Sequence, residues 1–203
     1  RTFLYASSDF SWGVQLVFDN KVILGTRARK TRTNSSNAFS SIDYPETAVF
    51  RDMRLIPFLR RPDPMPPVQF YEQLDPAVFV LRLVPGMRAD IIPLLAPHYR
   101  ALVVESFGVG GLPGGEHGEM YARLQDWCTS GRLAVFTTQV PHEGCDLAVY
   151  EVGRSVKELP GVLEAKDMTP EAVAVKLMWA LGQTTDRAEA MRLFTTPVEW
   201  DIV

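Results

Sequence analysis

The stretch KVILGTRARKTRTNSSNAFSSIDYP, residues 21–45, decides how the rest of the chain is interpreted. Leu16–Phe18 leads into Asp19-Asn20, a pair typical of tight turns, and Lys21–Leu24 leads out of it. Two short apolar runs with β-branched residues around such a turn predict a β-hairpin over residues 15–24.

The segment 26–37 after this hairpin is polar and cationic. It contains Arg27, Arg29, Lys30 and Arg32 among threonine, serine and asparagine, with few apolar residues that could build a strand or a helix. Such a segment is usually a solvated loop. Nucleic-acid binding is the second interpretation, but a net charge of −3 and a pI near 5.7 give it little electrostatic support.

A third interpretation comes from the aromatic residues that follow the polar segment. Phe39 and Tyr44 can pin its far end, while strand 21–24 holds its near end. A pinned loop can hold one lysine in a fixed place. A lysine that is shielded from water has a lowered pKa and becomes useful for proton transfer.

Three ordered blocks of the sequence resemble bacterial L-asparaginases, most of all their cytoplasmic, type I branch. The first block resembles the loop that carries the catalytic lysine of that family, and Lys30 stands at the lysine position. The second resembles the family's glycine turn, and the third also resembles the family, in several short runs of residues. The blocks are residues 25–45, 104–113 and 161–183.

The resemblance implies hydrolysis of L-asparagine to L-aspartate and ammonia through a threonine nucleophile, with Lys30 as a catalytic residue. It places Gly110 and Gly111 near the substrate, although Gly111 stands where the family usually has asparagine. It implies no cofactor, no metal, no nucleic acid and no membrane, a cytoplasmic location, and a homodimer or homotetramer with active sites between subunits. Helix 170–181 and the glycine turn are expected near those subunit contacts.

The family's TGGTI and GTDTM segments, which supply its threonines and an aspartate, do not occur among the 203 residues. The chain resembles the C-terminal three-fifths of the family, and we expect it to be inactive by itself. Two alternatives stay open: a non-catalytic α/β fragment that keeps the fold and the subunit contacts, or a family member acting on glutamine or a tRNA-linked amide. A long tRNA-binding insertion is not visible, which counts against the tRNA case.

Type I enzymes can also bind asparagine as an effector, through an arginine and a cysteine. Those positions match Glu105 and Val140. Because a carboxylate repels a ligand carboxylate, we expect no effector site here.

Composition agrees with a globular chain. Hydrophobic residues make up 46% and charged residues 22%, and no apolar run approaches the length of about 20 residues needed to span a membrane. Cys128 and Cys145 form no CxxC motif and are expected to be reduced thiols. The three histidines lack metal-ligand spacing.

Four prolines within RRPDPMPP, residues 60–67, predict a stiff, extended linker. We expect residues 1–59 to be the C-terminal part of the asparaginase N-terminal, catalytic domain, residues 60–74 the proline-rich linker, and residues 75–203 the C-terminal domain. The fold class is α/β: a flavodoxin-like three-layer C-terminal domain with a parallel sheet, preceded by the tail of an N-terminal α/β domain.

The individual elements follow from local patterns. Helices are predicted over residues 1–8, 88–96, 120–128 and 170–181, with Thr169 as the N-cap of the last. Strands are predicted over residues 78–83, 101–104 and 133–138, an extended piece over 55–59, a short helical turn over 47–50 and a glycine-rich turn over 108–118.

Overall fold

The computed structural model describes residues 1–64, 67–114, 118–149 and 151–203, without the side chain of residue 152. Parts of the predicted linker and of the predicted turn over 108–118 lie outside the described residues. The chain separates into two compact units. Unit 1 is Arg1–Phe70 with Glu199–Asp201, and unit 2 is Tyr71–Val198 with Ile202–Val203.

The described residues of unit 1 form one short helix and six strands. One sheet has the order β1-β2-β5-β6 with every pair antiparallel, and β3 pairs with β4 as a separate two-stranded ribbon. The elements are α1 Thr2–Ala6, β1 Gln15–Phe18, β2 Lys21–Leu24, β3 Ala28–Lys30, β4 Phe39–Ser41, β5 Ala48–Arg51 and β6 Arg54–Pro57.

The predicted hairpin over residues 15–24 is confirmed. Leu16 faces Ile23 across the β1–β2 pair. The turn residues Asp19 and Asn20 have φ angles of 45° and 64°. Two consecutive positive φ angles are what a two-residue turn needs to match the twist of the strands, and Asp and Asn tolerate them better than most residues.

Two local predictions in unit 1 are wrong. The helical turn expected over 47–50 is strand β5, because Val49 and Phe50 pair with Ile56 and Leu55 of β6. The polar segment expected to be irregular contains β3, because pairing with β4 uses backbone groups and needs no apolar side chain.

Unit 2 is a parallel α/β structure. Its sheet has the order β10-β9-β8-β7 and all three strand pairs are parallel. This confirms the predicted fold class. The elements are β7 Val78–Arg82, α2 Ile91–Leu95, β8 Ala101–Ser106, α3 Glu119–Thr129, β9 Leu133–Thr138, α4 Glu151–Lys157, β10 Val162–Glu164, α5 Pro170–Gln183 and α6 Arg187–Thr195.

Helices cover both faces of this sheet. In β8, Leu102 and Val104 belong to one core cluster, with residues of α2, α3 and α4, while Ala101 and Val103 belong to a second cluster, with residues of α5 and α6. Successive strand residues point to opposite faces of the sheet, so one apolar strand contributes side chains to both core clusters. The strands adjoin in chain order, and crossovers of one hand therefore place α2, α3 and α4 on the same face.

The predicted helix over 88–96 is shorter than expected. It begins at Ile91 because Pro93 has no backbone N–H and is tolerated only in the first turn of a helix. The predicted helix over 120–128 is confirmed as α3, and Gly131, with φ of 92°, follows its end. The cap of α5 is confirmed as well, since the Thr169 side chain accepts a hydrogen bond from the Ala172 N–H. Local patterns did not predict three further elements, which are α4, β10 and α6.

In the part of the chain that the structure describes, no helix combines the length and the apolar character required to cross a membrane.

Candidate functional site

Lys30 is the last residue of β3 and lies at the tip side of the β3–β4 hairpin. It faces Phe39 across the pair, and its own side chain is exposed. The Thr31 N–H donates to the Ala38 carbonyl at 2.9 Å, and the Thr31 and Ser40 hydroxyls are 2.8 Å apart. The backbone on both sides of the lysine is therefore fixed, although the structure does not shield its amine from water.

The aromatic anchor predicted at Phe39 is present. Its ring packs edge-on against Phe18 of β1, with the ring centres 5.1 Å apart. The segment after β4 is held as well, since Ile42 is buried and its N–H donates to the Arg27 carbonyl at 3.0 Å. The hairpin is thus attached to unit 1 near Lys30 and again at its base.

Arg27 departs from the expectation that the cations of this segment are solvated. Its side chain is 0% exposed. Its Nε donates to the Trp200 carbonyl at 2.6 Å, and its guanidinium carbon lies 5.4 Å from the centre of the Tyr44 ring. No local sequence signal marks this residue, because the carbonyl that receives it is 173 positions away.

The second predicted site is the turn after β8. The backbones of Phe107 and Gly111 exchange two hydrogen bonds, of 3.2 and 2.7 Å. Gly110 is buried within this turn, with φ of 148°. A Cβ atom there would lie 2.6 Å from Leu147 Cδ2, so a larger residue would require the Leu147 side chain to shift as well as an unfavourable φ angle.

Polar side chains at the carboxyl ends of the strands hold the turn, and the sequence analysis did not identify them. The Thr138 hydroxyl donates to the Gly108 carbonyl. The Gln139 amide donates to the Leu83 and Glu105 carbonyls at 2.6 and 2.9 Å, linking the ends of neighbouring strands. In open parallel sheets, this edge is the one at which ligands bind.

The two positions compared with the family's effector site are both in unit 2. The Glu105 carboxylate is nearly buried and lies 3.5 Å from the Arg82 guanidinium. Val140 is 48% exposed.

A cavity of about 360 Å³ lies at the opposite, amino-terminal edge of the parallel sheet. Its lining includes Arg100 and Leu133, which stand at the starts of β8 and β9, and neither Gly110 nor Gly111. The structure therefore separates this cavity from the glycine turn.

Neither cysteine resembles a nucleophile. Burial raises the pKa of the Cys128 thiol to about 11 and that of the Cys145 thiol to about 12. Thiols with such pKa values stay protonated near neutral pH and are unreactive. Among the described residues, no group of three or more His, Cys, Asp or Glu side chains is placed to hold a metal ion.

Comparison with known proteins shows the class to which these features belong. A family model described as "Asparaginase, N-terminal" matches residues 2–61, and one described as "Glutaminase/Asparaginase C-terminal domain" matches residues 77–194. The chain therefore belongs to the asparaginase family of hydrolases.

Two kinds of relative are similar to the chain. It is 34% identical over 194 residues to the L-asparaginase of Thermococcus kodakarensis, a match that covers 94% of this chain and 57% of that protein. It is 35% identical over 179 residues to a glutamyl-tRNA(Gln) amidotransferase polypeptide of Metallosphaera sedula, a match that covers 85% of this chain and 39% of that protein. The chain thus spans little more than half of the first relative.

Solved structures agree with the sequence comparison. The thermostable L-asparaginase from Thermococcus kodakarensis, 34% identical, superposes with a TM-score of 0.87 over 94% of this chain and 57% of that one. L-asparaginase I from Vibrio cholerae, 25% identical, superposes with a TM-score of 0.81 over the same shares.

Proposed function

We propose that the chain supplies Lys30 to an asparaginase-type amide hydrolysis, in which L-asparagine and water give L-aspartate and ammonia. The observation that carries the proposal is the position of Lys30. It ends a strand whose backbone is fixed on both sides. The chain belongs to the asparaginase family, and the loop around Lys30 resembles the loop that carries that family's catalytic lysine. Lys30 is exposed in the 203-residue chain, so its amine can be reached by groups brought to it.

The role proposed for Lys30 is proton transfer. A threonine hydroxyl attacks the side-chain amide carbon and its proton passes to the neutral lysine amine. The lysine hands this proton on to the amide nitrogen, so the C–N bond breaks and ammonia leaves as an acyl-enzyme ester forms. Water then cleaves the ester and releases aspartate. The threonine next to Lys30 is a poor nucleophile for this reaction, because the Thr31 hydroxyl is already bonded to Ser40.

The nucleophile must come from a segment like TGGTI, and the second threonine and aspartate from one like GTDTM. Neither segment occurs among the 203 residues. We therefore propose that the chain by itself releases no ammonia, and that it does so when mixed with a polypeptide carrying those segments from a family member. That mixture is called the complemented preparation below.

The test compares Lys30→Met with Lys21→Met in the complemented preparation. Lys21 is a matched control because it lies in the same unit, ion-paired to Glu46 at 3.3 Å and away from the hairpin tip. Loss of a positioned proton-transfer group is expected to lower kcat by about 10²–10⁴-fold for Lys30→Met and to leave Lys21→Met unchanged. A drop below about tenfold, near 1.4 kcal/mol, would place Lys30 among the solvated cations.

A second candidate substrate is glutamine or a glutamyl-tRNA-linked amide. The amidotransferase polypeptide of Metallosphaera sedula supports it, since its 35% identity to this chain is close to the 34% of the L-asparaginase. Ammonia release from L-asparagine and from L-glutamine in the complemented preparation separates the candidates. Faster turnover of L-glutamine would reject the asparaginase assignment while keeping Lys30 in its role.

We also propose the type I, cytoplasmic branch, a homodimer or homotetramer, and the domain limits 1–59, 60–74 and 75–203. Support comes from the matches at residues 2–61 and 77–194 and from the likeness to L-asparaginase I. Gly110 and Gly111 are proposed to lie near substrate, on the strand edge where ligands bind. Sedimentation of the complemented preparation as a single one-to-one complex would refute the oligomer, and recovery of the native protein outside the cytoplasm would refute the location.

A further inference from the structure

Arg27 is the largest side chain that unit 1 buries completely, and it lies three residues before Lys30. Its backbone carries the base of the hairpin: its N–H donates to the Leu24 carbonyl at 3.0 Å, and its carbonyl accepts from Ile42 at 3.0 Å. One residue thus connects the end of β2, the start of β3 and the return from β4.

The group that receives the Arg27 side chain is the backbone of a turn with two left-handed residues. Glu199 and Trp200 are consecutive non-glycine residues with φ angles of 45° and 58°. A left-handed conformation costs such residues about 1–2 kcal/mol each. The pair is called the 199–200 turn, and it belongs to unit 1.

The strained turn presents two successive carbonyls to the hairpin base. The Glu199 carbonyl accepts from the Thr26 hydroxyl at 3.0 Å, and the Trp200 carbonyl accepts from Arg27 Nε at 2.6 Å. The Trp200 ring packs edge-on against Trp12, with ring centres 5.1 Å apart. These contacts hold the two left-handed residues in place.

From this geometry we propose that Arg27 is a positioning residue for Lys30, with the 199–200 turn as its receptor. The proposal rests on the proposed function of Lys30. A guanidinium is suited to the task because its donors are fixed in a planar fork, so its hydrogen bond sets a direction as well as a distance. The result is a hairpin whose base cannot rotate, which fixes where the Lys30 amine can reach.

The competing explanation is that Arg27 stabilises unit 1 as a whole. Burying a charge is an expensive route to stability, since an apolar residue of similar volume often does as well or better. The two explanations differ in which backbone amides become mobile when the guanidinium is removed. If Arg27 positions the hairpin, its removal makes the hairpin amides alone more mobile. If Arg27 stabilises unit 1 as a whole, its removal makes the amides of every strand of the unit more mobile.

The test is amide hydrogen exchange on the 203-residue chain, with Arg27→Met, Arg27→Lys and the control Arg51→Met. Arg51 is exposed at the end of β5. For Arg27→Met, the hairpin amides of Thr31 and Ile42 are expected to exchange at least about tenfold faster, which corresponds to about 1.4 kcal/mol. The exchange rates of the sheet amides of Thr47 and Phe50 are expected to change less than about twofold. Arg27→Lys keeps a cationic donor but loses the planar fork, so it is expected to restore only part of the protection.

In the complemented preparation, Arg27→Met is expected to lower kcat by about tenfold or more and to change KM less than about twofold, with partial recovery in Arg27→Lys. Should Arg27→Met fail to fold, Thr26→Val removes the neighbouring bond to the turn and tests the same hairpin amides. Equal acceleration at all four amides, or none, would overturn the proposal. If Lys30→Met stays active in the complemented preparation, the proposed function of Lys30 is refuted. The exchange rates would then still show whether Arg27 holds the hairpin in place.

Discussion

Replacing Gly110 with alanine is expected to destabilise unit 2 by about 2–6 kcal/mol, through two separate costs. The first is the backbone, since φ of 148° lies in a region that other residues occupy at a cost of about 1–3 kcal/mol. The second is steric, because the new Cβ would lie 2.6 Å from Leu147 Cδ2, in a packed core where overpacking costs about 1–3 kcal/mol.

A double-mutant cycle separates these costs. Leu147 is completely buried, so Leu147→Ala alone is expected to cost about 2–5 kcal/mol. In that background the clash is gone, and Gly110→Ala should cost only its backbone part, about 1–3 kcal/mol. The matched control is Gly86→Ala, whose φ is 79° and whose Cβ would meet no atom within 4 Å. It should cost about 1–2 kcal/mol in either background.

The assay is urea unfolding followed by tryptophan fluorescence, with the free energy of unfolding compared at constant m-value. If Gly110→Ala costs the same with and without the Leu147 side chain, the steric part of the reasoning is wrong. If it costs less than Gly86→Ala, the backbone part is wrong as well, and the turn after β8 must be able to rearrange.

Thr169→Ala should lower the free energy of unfolding by about 1 kcal/mol, because the Ala172 N–H loses the side chain that accepts its hydrogen bond. Thr169→Ser keeps this acceptor and should retain most of the stability. Equal urea midpoints for the two variants would contradict the capping role. The raised pKa values of the two thiols give a pH dependence. The unfolded chain ionises its thiols near 9.0, below the folded values of about 11 for Cys128 and about 12 for Cys145. Stability from this source is complete below pH 9 and is lost as pH rises through the folded pKa values, so Cys128→Ala should flatten the fall measured between about pH 9 and 11. An identical slope in the variant would show that other groups cause the fall.

The parallel sheet was predictable because its signals are local. Residues 101–104 of β8 are apolar and buried on both faces of the sheet, and such an uninterrupted apolar run directly indicates a buried strand. The turn at Asp19-Asn20 and the cap at Thr169 were equally local. Each is a residue type whose backbone or side-chain chemistry decides the structure of its own neighbourhood.

The features that the sequence did not reveal depend on distant partners. Arg27 has the same local surroundings as Arg32, yet it is buried because the Trp200 carbonyl and the Tyr44 ring receive it. Lys30 is on a strand because Phe39 pairs with it, not because its own segment favours β structure. Val49 and Phe50 are in a strand because they pair with Ile56 and Leu55 of β6. Nothing in residues 47–50 themselves indicates that partner.

The 199–200 turn sets an order of events during synthesis. The hairpin that carries Lys30 leaves the ribosome before the carbonyls that fix its base, which are made only after all of α6. At about 5–20 residues per second, the hairpin is without them for roughly 8–30 s. Throughout that interval β7 to β10 can assemble, since they need nothing from the end of the chain to pair with one another. The hairpin base is therefore completed after the strands of the parallel sheet have been made, and deletion of residues 199–200 would keep Lys30 but remove the two carbonyls that hold the hairpin base.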